Sequence, residues 1–234
     1  MTSTARKRKE KEVTPVVPLT APVEDYLKVI YELERSGDPA ATNDIATQLD
    51  IAPPSASAMV RRLAEQGLLT HEPYRGARLT EAGRRAALGT IRRHRIIEAY
   101  LARALGYPWD RVHEEAERLE HAASDELIDR MAAAIGEPVT DPHGAPIPTR
   151  EGAVDERKYR ALADLEEGEH ARVLRVSDDD ARMLRYFAEL DLRPGVEVVV
   201  EKRAPFDGPI TVLVAGIRQV VGPGLVAHVW VTDV

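Results

Sequence analysis

Cysteine is absent from the 234 residues, and with it go disulfides, zinc fingers, iron–sulfur clusters and cysteine nucleophiles. That absence is compatible with a cytoplasmic protein, the location expected here. No apolar run approaches the roughly 18 residues a membrane span needs, so no membrane partner is expected. The start also lacks the apolar core of a signal peptide, because the basic patch is followed by Val-Thr-Pro-Val-Val-Pro. Residues 1–20 are therefore expected to form a disordered basic tail. Neither H-E-x-x-H nor E-x-x-H on paired helices occurs, which removes two common helical metalloenzyme sites, and no enzyme is expected.

Positive charge is scarce overall, with a net charge of −7, but it is unevenly spread. Residues 1–95 hold 16 Lys/Arg against 12 Asp/Glu, a surplus of four; residues 96–234 hold 16 against 27, a deficit of eleven. A basic N-terminal half suits a polyanion, and an acidic remainder suits cations or simple solubility.

Among the residues present, Val112 to Asp125 (V-H-E-E-A-E-R-L-E-H-A-A-S-D) contains no Pro or Gly and predicts one helix. At 100° per residue, His113, Glu117, Glu120 and His121 share about 100° of arc, so one face would carry two imidazoles and two carboxylates. His94 and Glu98 lie one turn apart on an earlier predicted helix, from about Thr80 to Ala104. Imidazole with carboxylate and no thiol suits a borderline-to-hard divalent cation. A single pair of this kind is usually a solvated helix face. Two groups on neighbouring helices favour a metal.

The order of elements around them is informative. Val23 to Ser36 shows helical spacing of apolar residues, and Thr42-Asn43-Asp44 offers a cap for a short helix, Ile45 to Leu49. A turn through Pro53 follows, with Pro54 at the first position of a helix over Ser55 to Gln66 that stops at Gly67. Two strands, 67–71 and 77–80, joined through Glu72-Pro73-Tyr74-Arg75-Gly76, complete a winged helix-turn-helix. Pro54, Ser55 and Ser57 at the start of the recognition helix, Arg61 and Arg62 along it, and Arg75 and Arg78 on the wing are the candidate contacts to double-stranded DNA. Small residues suit thymine methyls and single hydrogen bonds, so phosphates should supply much of the affinity. Asp110 is expected to cap the Val112 helix. The apolar pattern Leu127, Ile128, Met131 to Ile135 wants a partner surface, and a homodimer seam is the usual one. Gly136 to Gly152 holds four prolines, and its Asp141-Pro142-His143-Gly144 reads as an ordinary turn. Beyond Leu162, alternating runs at 171–176, 196–200, 210–214 and 226–231, with a short helix over Ala181 to Leu190, predict a small antiparallel barrel.

A winged helix, an H-x3-E helix, an H-x3-E-x2-E-H helix, a D-P-H-G-x-P-I-P loop and a small barrel together resemble the diphtheria-toxin-repressor family of metal-dependent regulators, over residues from about 21 to the C-terminus. The resemblance implies a multidomain α+β chain. A winged-helix domain (21–92) would be followed by an all-α metal-binding and dimerisation domain (93–145), a Pro/Gly-rich linker (146–164) and an SH3-like β-barrel (165–234). It implies a primary sensing site of Asp25, Glu117, Glu120 and His121. It also implies an ancillary site of His94, Glu98 and His113, completed from the SH3-like domain by Asp178, with Asp179 and Asp180 adjoining. Asp25 and Glu117 stand where the iron-sensing branch has Met and Cys, which implies the manganese-sensing branch and two Mn²⁺ per chain. Affinity order alone favours Fe²⁺ over Mn²⁺, so iron remains an alternative. Lys28 stands where some two-domain relatives carry a further Glu. The function implied is a Mn²⁺-dependent repressor of manganese homeostasis genes that binds operator DNA as a homodimer. A winged-helix regulator answering to an organic ligand is the rival, though no small organic substrate is expected.

Overall fold

The computed structural model describes residues 19–72, 75–178 and 180–234; the expected tail thus lies almost wholly outside the described residues. Helix α1 (Ala21–Glu34) buries the stripe Val23, Tyr26, Leu27, Ile30 and Tyr31. α2 (Thr42–Gln48) begins three residues before its predicted start, with Ala41 as the cap in place of the Thr42-Asn43-Asp44 segment. α3 (Pro53–Glu65) begins on both prolines, since neither needs an amide donor in the first turn. Strands β1 (Leu69–Glu72) and β2 (Gly76–Leu79) pair antiparallel as the wing, from Leu69 opposite Leu79 to Glu72 opposite Gly76. Leu27, Ile30, Ile45, Val60 and Leu63 are fully buried beneath these elements, and each stabilises by roughly 1.5–3 kcal/mol.

The connecting strut is α4 (Glu81–Leu105). It is capped by Thr80, whose hydroxyl accepts from the Gly83 amide at 3.1 Å. Its first half, Ala87, Leu88 and Ile91, belongs to the winged-helix core, and its second half, Ile96, Ile97 and Leu101, to the helical core. One rigid helix therefore spans two domains and carries His94 and Glu98 near the crossing point. α5 (Val112–Leu119) and α6 (Asp125–Ala134) pack on that second half.

The predicted single helix from Val112 to Asp125 is two elements. Helix α5 ends at Leu119, Glu120 keeps α-helical angles as its cap, and His121 lies in a turn; Ser124 then caps α6 by accepting from the Leu127 amide. Asp110 does not cap α5. Arg111 holds that position, and the Asp110 carboxylate accepts from Arg185 Nη1 at 3.1 Å.

The C-terminal part comprises β3 (Arg160–Ala161), β4 (His170–Val176), α7 (Ala181–Glu189), β5 (Glu197–Arg203), β6 (Ile210–Val214), β7 (Ile217–Val221), a short α8 (Pro223–Val226) and β8 (Val229–Asp233). The strands form one antiparallel sheet in the order β3-β8-β4-β5-β6-β7. Register shifts in β4/β8 and β5/β6 supply the bends that curl a small sheet round its core. The predicted strand over 226–231 is instead the end of α8 followed by β8, because Pro223 after Gly222 starts a helical turn there. Leu184 and Phe187 of α7 close one side of the sheet's core. This is the expected multidomain α+β arrangement of winged helix, helical domain and SH3-like β domain.

Residues of the predicted linker are attached to the winged helix. Val154 packs against its core, and Glu156 accepts from Tyr31 Oη at 3.0 Å while also pairing with Arg84.

Candidate metal centre

Three groups of imidazole and carboxylate side chains converge where α1, α4, α5 and the SH3-like domain meet. In each, one donor atom per residue lies within 4.8 Å of the others.

The first joins Asp25 of α1 to Glu120 and His121 beyond α5. His121 Nε2 lies 2.8 Å from Asp25 Oδ1 and 3.6 Å from Glu120 Oε1. Its Nδ1 is 2.6 Å from Glu24 Oε2, and Arg93 holds Glu24 in turn at 2.5 Å. Such a carboxylate behind an imidazole fixes ring orientation and raises ligand basicity. Burial pushes the Asp25 carboxyl above its ordinary range, against the pull of His121 and Lys28.

The second group is His94, His113 and Glu117, and the third is Glu98, Asp141, His143 and Asp178. They adjoin, with His94 Nε2 3.0 Å from Glu98 Oε1 and 3.1 Å from His113 Nδ1. Asp178, which follows β4, brings its carboxylate to 3.8 Å from His113 Nδ1 and 3.9 Å from His143 Nδ1. Burial disfavours the charged form of His94, but Glu98 and Glu120 outweigh it and raise its pKa, while His94 and His113 hold Glu98 below its ordinary value. The Asp141 carboxyl is pushed up to about 6 by burial and by Glu98, against Arg95.

Of the expected ligands, the structure brings Asp25, Glu120 and His121 together, and brings His94, Glu98, His113 and Asp178 into one neighbourhood. Glu117 lies between the two: its Oε1 is 3.7 Å from both His94 Nδ1 and His113 Nε2, and 2.6 Å from Lys28 Nζ. Lys28 also reaches Glu120 at 2.8 Å, so its ammonium neutralises two candidate ligands at once. Asp180 is committed elsewhere, capping α7 and pairing with Arg182, and Asp179 lies outside the described residues.

Sequence reasoning alone misses Asp141 and His143, whose local pattern is that of an ordinary turn. The D-P-H-G segment is a turn, yet both side chains are buried. Asp141 Oδ1 accepts from the amides of His143 and Ala145, and His143 Nε2 lies 2.7 Å from the Trp109 carbonyl. This fixes the tautomer and aims Nδ1 at the cluster. Gly144, at φ +90°, lets the loop touch β4, since a Cβ there would meet the Leu174 carbonyl oxygen at 2.1 Å.

Whether the donor set fits a cation can be judged from unsatisfied atoms. Among the described residues, five buried side-chain N or O atoms have no hydrogen-bond partner, and four are Glu98 Oε2, Asp141 Oδ2, His143 Nδ1 and Asp25 Oδ1, whose 2.8 Å approach to His121 lacks hydrogen-bond geometry. Buried polar atoms without partners are costly, so their concentration here is what a cation-binding site requires. The residues fit a divalent metal.

Residues 18–77 match the family described as iron dependent repressor, N-terminal DNA binding domain. Residues 80–149 match its metal binding and dimerisation domain, and residues 160–233 match the FeoA domain. The iron-dependent repressor IdeR of Mycobacterium tuberculosis is 31% identical over 217 residues, covering 88% of this chain and 94% of that protein. The chain belongs to the iron-dependent repressor family. The diphtheria toxin repressor of Corynebacterium jeikeium is 41% identical over 125 residues, 53% of this chain and 52% of that protein. Among solved structures, a manganese-dependent transcriptional repressor in complex with manganese superposes with a TM-score of 0.85 at 41% identity, covering 91% of this chain and all of that one. The manganese regulator SloR superposes at 0.75 with 31% identity, covering 91% and 98%. As a member of the iron-dependent repressor family, the protein is a metal-dependent DNA-binding transcriptional repressor and not an enzyme.

The side chains expected to contact DNA stand as follows. Pro54, Ser55, Arg61 and Arg62 are exposed on α3, and Ser57 is half-buried. Arg75 pairs with Glu72 at 3.1 Å within the wing, whose residues 73 and 74 lie outside the described residues. Arg78 donates to the Gly37 carbonyl at 2.9 Å.

Proposed function

We propose that this chain represses transcription in response to Mn²⁺, binding double-stranded operator DNA as a homodimer with two cations per chain. The observation that carries the reading is the Asp25–Glu120–His121 group, a sulfur-free donor set shared between α1 of the winged helix and the segment after α5. Carboxylate and imidazole donors harden a site towards Mn²⁺, and Fe²⁺ is the alternative that affinity order keeps in play.

A divalent cation supplies positive charge that carboxylates from different elements can share. Asp25 belongs to the DNA-binding domain, whereas Glu120 and His121 belong to the helical domain. Holding these residues on common ground therefore favours one orientation of the winged helix relative to the dimer core. Glu117, within reach of Lys28 and of Asp25's field, adds a further carboxylate to this primary site. The second cation is assigned to Glu98, Asp141, His143 and Asp178, with His94 and His113 flanking it. Three of the four unsatisfied atoms named above lie there, and Asp178 ties the SH3-like domain to α4. By linkage, operator DNA tightens metal binding by the factor that metal tightens DNA binding.

Asp25→Ala is expected to abolish Mn²⁺-dependent operator binding while leaving a folded dimer, measured by fluorescence anisotropy with Mn²⁺ against chelator. A variant that responds at wild-type Mn²⁺ concentrations would sink the assignment. On the DNA side, Arg61 and Arg62 carry phosphate contacts. Removing both should lower the slope of log K against log salt by about 1.8, at about 0.9 per contact. An unchanged slope would take both arginines off the phosphate backbone.

A further inference from the structure

A cavity of about 630 Å³ opens where the winged helix, the strapped-down segment 156–159 and the SH3-like domain face each other; none of the candidate metal ligands lines it, though Arg175 lines both this cavity and the one that holds His94, His113 and Asp178. Three arginine–aromatic pairs form its walls, one from each part of the chain. Arg84 lies over Tyr31 at 5.2 Å from the ring centre, Arg157 over Tyr159 at 5.5 Å, and Arg175 over Trp230 at 4.9 Å. An aromatic face holds a guanidinium by its flat side and leaves its N–H edge directed outward.

The charges in the cavity do not cancel. Arg84 is engaged by Glu156 and Arg157 by Asp155, while Glu34, the other carboxylate on the wall, accepts from the Leu79 amide. The Nε of Arg175 is buried with no hydrogen-bond partner, and the carboxylates of Asp178 and Glu32 act on its guanidinium only through their charge. Lys158 adds a further cation at the rim, where Arg35 is already paired with Glu32 at 3.0 Å. A buried N–H of a guanidinium without an acceptor is costly unless a ligand supplies one, and five donors in a planar fork match the oxygens of a phosphate-type anion.

We propose that this cavity is a second ligand site, which binds a small, multiply charged oxyanion of the phosphate type with Arg175 as its central contact. The volume lies within the range of small-molecule sites and exceeds that of a bare phosphate, leaving room for a larger phosphorylated molecule. Because its walls come from three parts of the chain, the anion would stabilise their arrangement by mass action.

The test is calorimetric titration of pyrophosphate and of inorganic phosphate into full-length protein stripped of metal by dialysis, with chloride at equal ionic strength as the control. Chelators are left out because they are themselves polyanions. Tryptophan fluorescence is read in parallel in Trp109→Phe, which leaves Trp230 as the sole emitter. Saturable binding of either anion is expected, weakened at least about tenfold in Arg175→Met, the size of one charge-assisted contact. Arg157→Ala, at an exposed position that does not threaten folding, should weaken it too, and Lys202→Ala on β5 should leave it unchanged. Absence of saturable binding by both anions, or binding that Arg175→Met and Arg157→Ala leave intact, overturns the proposal. So does a result in which Arg175→Met weakens only DNA binding, which would make the guanidinium a backbone contact instead.

Discussion

Lys28 offers the sharpest quantitative test of how the metal centre is balanced. Its ammonium lies 2.6 Å from Glu117 and 2.8 Å from Glu120, and Glu120 is fully buried. At an effective dielectric of about 20, each contact is worth about 6 kcal/mol before desolvation is counted. Breaking a buried pair by removing one partner typically costs about 3–5 kcal/mol net. Glu117 is partly exposed, so the lower end, about 3 kcal/mol, applies to Lys28→Met. For a chain of this size that corresponds to a fall in melting temperature of about 6–12 °C without metal. A divalent cation replaces the lost charge, so the variant should regain most of that stability on adding Mn²⁺. By linkage the same free energy appears as tighter binding, up to about 100-fold. Scanning calorimetry with and without Mn²⁺, together with Mn²⁺ titration, measures both quantities. Equal apo stability and unchanged Mn²⁺ affinity in Lys28→Met would refute the idea that the ammonium acts as a tethered stand-in for positive charge.

Two further outcomes follow from the geometry. Asp178→Asn and His143→Ala should each reduce bound Mn²⁺ from two to one per chain, measured by elemental analysis after gel filtration, while the Asp25 group keeps its ion; two ions retained in both variants would remove these residues from the second site. Gly144→Ala forces a Cβ against the Leu174 carbonyl at a φ of +90°, and should lower stability by roughly 2–4 kcal/mol in urea titration; a change near zero would show that the loop and β4 can separate.

Much of the architecture was legible because it rests on local periodicity. The apolar stripe of α1, the Thr80 cap and the alternating runs at 171–176, 196–200 and 210–214 lie close to where the spacing places them, whereas α3 opens one residue early, on Pro53, and the 226–231 run is split between α8 and β8. The break after α5 was not legible. Glu120 to Ala123 contains neither Gly nor Pro, and the cue was Ser124, which is favoured at helix N-caps but is tolerated inside helices too and so does not by itself announce a break. The break matters chemically, because it lets His121 turn towards Asp25 while His113 stays with Glu98. Asp141 and His143 were hidden for another reason. Their sequence is that of a turn, and local sequence does not say whether a turn is buried. Here β4 decides, with the Val176 amide donating to the His143 carbonyl at 2.9 Å and Gly144 admitting the close approach. Glu24 carried no cue at all beyond standing next to Asp25.

The attachment of Val154 and Glu156 to the winged helix bears on how this protein can be dissected. A fragment ending near residue 149 would contain the DNA-binding and helical domains in full, yet it would lack an apolar side chain that its own first core uses and the carboxylate that engages Tyr31 and Arg84. Such a fragment would expose part of Leu88's surroundings and release Arg84 from Glu156, so its operator affinity and its melting behaviour would belong to the cut and not to the domain.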